Sequence, residues 1–219
     1  MKKKIDKKQL LLTSIIILLP VVAGLFLYNQ MPDNIAIHWG VDNKPNGFAP
    51  KLLAIVGMPV FLWLINLLVI FMVNVDPKNV NQNKKIQWLG PWIVAIIAFV
   101  VQVMTILAAI GKSVNVGMMV TIIIGFTYMV VGNYLPKATR NYTIGIRLPW
   151  TLDNEDNWRS THRLAGYIWS VGGLLVIISG LFMMIVPDLI IFFTILAITL
   201  LMIIIPLIYS YRFYKNSRK

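Results

Sequence analysis

Six apolar runs, each long enough to cross a bilayer, dominate this chain, and none contains an Asp, Glu, Lys, Arg or His. They fall at about Leu10–Tyr28, Leu52–Val73, Trp88–Ile110, Met118–Leu135, Leu164–Val186 and Leu189–Tyr209. About 20 helical residues cover the hydrocarbon layer, and in lipid only helices and closed barrels satisfy their own backbone. The runs therefore predict an all-α integral membrane protein, a six-transmembrane-helix bundle. Only 13% of the 219 residues are charged, against about 25% in a soluble domain, and the length leaves room for one bundle only. The basic start MKKKIDKK before the first run has the look of a signal peptide. The run is too long for that, and no small-x-small cleavage site closes it, so an uncleaved first span is expected.

The loops say which side is which. An even number of spans puts both termini on one side. On that side fall the five lysines before Gln9, three in the 74–87 loop, five basic residues within 132–166, and four in the C-terminal tail. Lys44, Lys51 and Lys112 fall on the other, an imbalance of 17 to 3 among the 20 Lys and Arg. The positive-inside rule then predicts cytoplasmic termini, a cytoplasmic 132–166 segment and an external 29–51 loop, in a multi-pass membrane protein. The net charge of +12 is spread over membrane-flanking segments, so no direct nucleic-acid binding is expected. Its natural partner is anionic membrane lipid.

Chemistry is sparse. With no cysteine, disulfides, thiol catalysis and cysteine metal sites are excluded. The two histidines, His38 and His162, fall on opposite sides by the charge count and lack the further ligands a zinc site needs. No metal and no cofactor is expected, and no catalytic residue is assigned. Charges inside spans mark ion and proton paths, and their absence argues against an ion-coupled transporter. Asn66 and Gln102 are expected to hydrogen-bond between helices. Small residues at Gly166, Ser170, Gly173 and Gly180 form a stripe on the fifth span. Such stripes let membrane helices approach closely, which predicts a central position for that helix.

Two polar segments stand out. In the 29–51 loop, alternation over Ile35, Ile37 and Trp39 suggests a short strand, and Asn46-Gly47 is a turn signal. The longer segment, Gly132 to Gly166, reads GNYLPKATRNYTIGIRLPWTLDNEDNWRSTHRLAG. Asp153 is a good helix N-cap, with Glu155 and Asp156 in the first turn, and Glu155 and Arg159 stand at i, i+4. Trp158, His162, Ala165 and Trp169 share a face of that helix. A bland reading makes Trp150, Trp158, Arg159 and Arg163 an interfacial anchor, tryptophan among headgroups and arginine on phosphate. It leaves the turn-rich run through Gly145 and Pro149 unexplained.

Those residues carry a resemblance. GNYLPKATRNYTIGIRLPWTLDNEDNWRSTHRLAGY is similar to the signature of SdpI-type immunity proteins, bacterial polytopic membrane proteins. MPDNIAIHWGVDNKPNGFAPK resembles a short domain of unknown function that precedes that signature. The resemblance implies a non-enzymatic immunity and receptor protein that protects the cell from a secreted membrane-active peptide toxin. In some members it also implies signalling, by holding a cytoplasmic repressor at the membrane. It brings no catalytic residues.

From this follow two expected surfaces. His38, Trp39, Asn46, Gly47 and Phe48 of the outer loop are expected to face the toxin, or else to form a plug over the bundle. Asn133, Tyr134, Pro136, Tyr142, Gly145, Arg147, Pro149, Trp150, Trp158, His162 and Arg163 are expected to form a cytoplasmic working surface. That surface would dock a partner or hold a lipid headgroup, with Arg147 and Arg163 on phosphate. The expected organisation is an N-terminal helical pair with its outer loop over 1–75, and a four-helix region over 76–219. The competing readings are a peptide or lipid transporter and a membrane-embedded lipid-acting enzyme. The latter needs His162 to meet Asp153, Glu155 or Asp156.

Overall fold

The computed structural model describes residues 5–217, apart from the side chains of Val80 and Asn81. Lys2, Lys3, Lys4, Arg218 and Lys219 of the charge count lie outside the described residues. The chain is mostly helical, with six long helices apolar enough to cross a membrane. They are α1 (Lys7–Phe26), α2 (Met58–Val75), α3 (Lys84–Ala109), α4 (Val116–Tyr134), α6 (Glu155–Leu181) and α7 (Asp188–Asn216). A short helix, α5 (Pro149–Asp153), precedes α6, and strands β1 (Asn34–Trp39) and β2 (Pro45–Pro50) follow α1. The fold is thus not wholly α. Contacts divide the described residues into two compact units, one of Met72–Leu89 with Thr121–Ser217, the other of Ile5–Phe71 with Gly90–Val120.

In the unit that holds α1, Asp6 caps the helix by accepting from the backbone N–H groups of Lys8 and Gln9. The buried residues of α1 are Gln9, Thr13, Ile17, Pro20 and Gly24. They recur every three or four positions, so one stripe is covered and the rest of the helix is left for lipid. Ile17 packs on Ala95 and Ala98 of α3. Polar residues pin the helices at set heights. Asn66 Nδ2 donates to Thr13 Oγ1 at 2.8 Å, and Trp63 Nε1 donates to Ser14 Oγ at 2.8 Å. One wide π-helical turn, Leu53–Gly57, leads into α2. Gln102 Nε2 donates to its Ala54 carbonyl at 3.2 Å. The expected interhelical roles of Asn66 and Gln102 are therefore observed.

The hairpin closes over the same unit. β1 and β2 pair antiparallel, with register shifts around His38. Ile35, Ala49 and Met31 bury against Ala54, Ile55 and Ile106. The turn is not at Asn46-Gly47 as expected. It lies at Gly40–Lys44, closed by Gly40 N–H to the Lys44 carbonyl (2.9 Å), with Asn43 at φ +56°. Asparagine tolerates this left-handed conformation better than most residues, and the longer loop leaves Asn46 free to pair with His38.

In the other unit, α6 packs against α4 and α7. A Cβ on Gly125 would lie 2.6 Å from the Gly173 carbonyl, and one on Gly132 would lie 2.6 Å from Ser170 N. Gly166 meets Pro136, and Gly180 meets Thr121. Gly172, on another face, meets Met202 of α7, whose carbonyl accepts from Trp169 Nε1. Two expected boundaries shift. α3 begins at Lys84, with Asn83 accepting from the Lys85 N–H. Pro91 is therefore inside the helix. The cap of α6 is Asn154, which accepts from the Asn157 N–H, and not Asp153, which ends α5.

Candidate functional site

Between α4 and α6 the chain makes no regular structure from Ala138 to Leu148, yet it is heavily hydrogen-bonded. Asn141 organises it. The side chain is fully buried. Its Nδ2 donates to the carbonyls of Thr139 (2.7 Å) and Ile144 (3.1 Å), and its Oδ1 accepts from the N–H groups of Thr143 (2.8 Å) and Ile144 (2.6 Å). One amide thus satisfies four backbone groups of a loop that has no ladder to satisfy them.

A second clamp comes from the segment between α2 and α3. Asp76 is buried, and its carboxylate accepts from Tyr142 N–H (2.8 Å), Thr143 Oγ1 and Lys78 N–H (2.9 Å). Gln82 pairs with Thr139 in both directions, accepting from its N–H and donating to its carbonyl, each at 3.2 Å. The third clamp is α6 itself. His162 Nε2 accepts from Ile146 N–H at 2.9 Å, and its Nδ1 lies 2.8 Å from the Trp158 carbonyl. A ring that accepts at Nε2 and donates at Nδ1 is neutral. Trp158 stacks on it at 3.9 Å and donates Nε1–H to the Ala138 carbonyl. Gly145 stands over this ring with φ +106°, and a Cβ there would lie 2.3 Å from His162 Nε2. Only glycine fits both the backbone angle and the space.

The remaining residues fix the corner into α6. Thr151 Oγ1 accepts from Leu148 N–H and reaches the Ile146 carbonyl. Trp150 Nε1 donates to Ser210 Oγ, and its ring meets Tyr211 and Tyr214. Asn157, fully buried, donates to the Ser210 carbonyl and accepts from Thr161. These bonds tie the loop and the start of α6 to the C-terminal end of α7.

The expected working surface therefore splits. Trp158, His162, Gly145 and the indole N–H of Trp150 point inward as scaffold, with Trp158 buried and Trp150 half-buried. Tyr142, Arg147, Pro149, Arg163, Asn133 and Pro136 remain exposed. Tyr142 lies under the Lys78 ammonium at 4.3 Å, and Arg147 donates to the Tyr142 carbonyl. Tyr134 is half-buried, with Lys137 over its ring at 5.2 Å. Arg163 lines a cleft whose lining residues do not include Arg147. Both ring nitrogens of His162 are engaged by backbone, so it meets none of Asp153, Glu155 and Asp156 as an acid–base pair. Among the described residues no group of three His, Cys, Asp or Glu stands ready for a metal.

In the hairpin, His38 Nδ1 donates to Asn46 Oδ1, and a Cβ on Gly47 would lie 2.9 Å from His38 Cβ. His38, Asn46 and Phe48 are exposed, as is Val41 at the turn, while Trp39 is half-buried. The hairpin buries one face and presents the other.

The loop organisers Asp76, Gln82, Asn141, Thr151 and Asn157 are absent from the expected set. Their only signal in sequence is an unusual density of Asn, Thr and Gln beside spans.

The model of the SdpI/YfhL protein family matches residues 137–210, and that of a domain of unknown function, DUF1648, matches residues 15–63. Immunity protein SdpI of Bacillus subtilis (strain 168) is 30% identical over 209 residues, covering 95% of this chain and 97% of that protein. No solved structure matches.

Proposed function

The chain belongs to the SdpI/YfhL family, and from that premise we propose that it is an immunity protein, protecting its cell from a secreted, membrane-active peptide toxin. The observation that carries the reading is the 30% identity to a protein named as an immunity protein, spread over 95% of this chain. The likeness is not confined to one motif, so it includes both the hairpin and the clamped loop.

The mechanism is non-enzymatic. The charge imbalance supports cytoplasmic termini, an external hairpin and a cytoplasmic clamped loop. On that orientation a toxin arriving from outside first meets the open face of the hairpin, where His38, Asn46 and Phe48 are exposed beside Val41. The loop at 138–148 is the output side. Its scaffold is rigid, and its exposed Tyr142, Arg147 and Pro149 offer a fixed surface to a cytoplasmic repressor. A preformed surface loses little entropy on docking.

Survival of a peptide-sensitive strain carrying the gene tests the reading. Wild type is expected to protect. Phe48→Ala should weaken protection at unchanged membrane level. Arg147→Gln should leave protection in place and disturb repressor recruitment in a reporter strain. Full protection by a variant that lacks His38, Asn46 and Phe48 together would remove the hairpin from toxin contact.

A further inference from the structure

A cleft of about 200 Å³ opens beside the clamped loop, where Lys137 and Arg140 after α4 face Arg159 and Arg163 of α6. Its lining holds four cations and one carboxylate, Glu155, which Arg159 already engages at 2.6 Å. Arg140 is held in place through Nη1 alone, which donates to the Leu152 and Asp153 carbonyls at 3.0 and 3.2 Å. Lys137 Nζ donates to the Asn133 side-chain oxygen at 3.3 Å and lies over the Tyr134 ring, with no carboxylate in reach among the described residues. Arg163 makes no hydrogen bond or ion pair among the described residues. The floor is rigid, because Trp158 is buried and bonded to Ala138. Three cations therefore line a formed hollow whose one carboxylate, Glu155, is already taken by Arg159. Like charges placed so close repel unless a counter-charge is bound.

The depth of the cleft says which anion. α6 changes character at Leu164: residues 155–163 are polar apart from Trp158, and from Leu164 to Leu181 the sequence is mainly apolar and carries no charge. Arg163 is the last charged residue before the apolar part, so the cleft opens at headgroup level. We propose that it binds the phosphate of an anionic phospholipid headgroup, with Lys137 and Arg163 as direct ligands and Arg140 as the third cation. Arginine forks and a lysine point charge suit phosphate oxygens. The inference rests on the membrane reading and not on the toxin, so its failure would leave the immunity proposal standing.

The test uses the full-length protein, titrated with phosphatidylglycerol and with phosphatidylcholine and read by native mass spectrometry. Wild type should retain phosphatidylglycerol in preference to phosphatidylcholine. Lys137→Gln with Arg163→Gln should weaken phosphatidylglycerol binding roughly 30-fold, about fivefold per cation removed. Arg163→Gln alone breaks no bond in the protein and should fold, giving about fivefold. Lys112→Gln, which removes an exposed charge far along the sequence, should leave binding unchanged. Equal retention of the two lipids, or an Arg163→Gln variant that binds like wild type, overturns the proposal. Displacement of the lipid by equimolar inorganic phosphate would also overturn it, because the site would then serve the free anion.

Discussion

Two residues do the most to set the clamped loop, and each gives a prediction. Asn141→Ala removes four hydrogen bonds that nothing else replaces. It should cost roughly 4 kcal/mol, at about 1 kcal/mol net for each hydrogen bond lost, and a melt in detergent measures it. Gly145→Ala meets a backbone angle that L side chains avoid and a His162 nitrogen at 2.3 Å. The expected loss is about 2–4 kcal/mol. A Gly145→Ala protein that melts with wild type would show that the lock on His162 is not what holds the loop. At this scale the sequence was only half legible. Gly145, Trp158 and His162 drew notice by residue type, but as a surface. Burial decides between surface and scaffold, and burial depends on partners such as Asp76, which is 66 positions from Tyr142. No local pattern carries that distance.

The helices were legible because the membrane is an unforgiving solvent. Length and apolarity alone located all six, and the small-residue stripe of α6 meets α4 at Gly125 and Gly132. Gly173→Leu should therefore separate α4 from α6. Its Cβ would start 2.5 Å from the Gly125 carbonyl, a backbone atom that cannot move aside. Reduced membrane levels and an early melt are expected, while Leu174→Ala, on an exposed face, should behave as wild type. Boundaries were less legible. Asp153 and Asn154 are both sound caps, and the choice fell to Asn154 because Asp153 closes α5. The Asn46-Gly47 signal was overruled because His38 takes Asn46 as a cross-strand partner and Asn43 supplies the left-handed turn.

For the whole molecule, topology is open to a clean test because the chain has no cysteine. In intact cells, a membrane-impermeant thiol reagent should label Lys44→Cys in the hairpin turn. It should label Lys78→Cys and Lys215→Cys only after permeabilisation. The opposite pattern would invert the molecule and place the clamped loop where the toxin arrives. The central claim remains protection, and its most direct measurement is survival. A peptide-sensitive strain expressing this chain, with membrane levels confirmed, is exposed to graded doses of the killing peptide. The account predicts that the lethal dose rises well above that of the empty-vector strain. An unchanged lethal dose, with the protein present in the membrane and tested against the peptide of its own source, would contradict it.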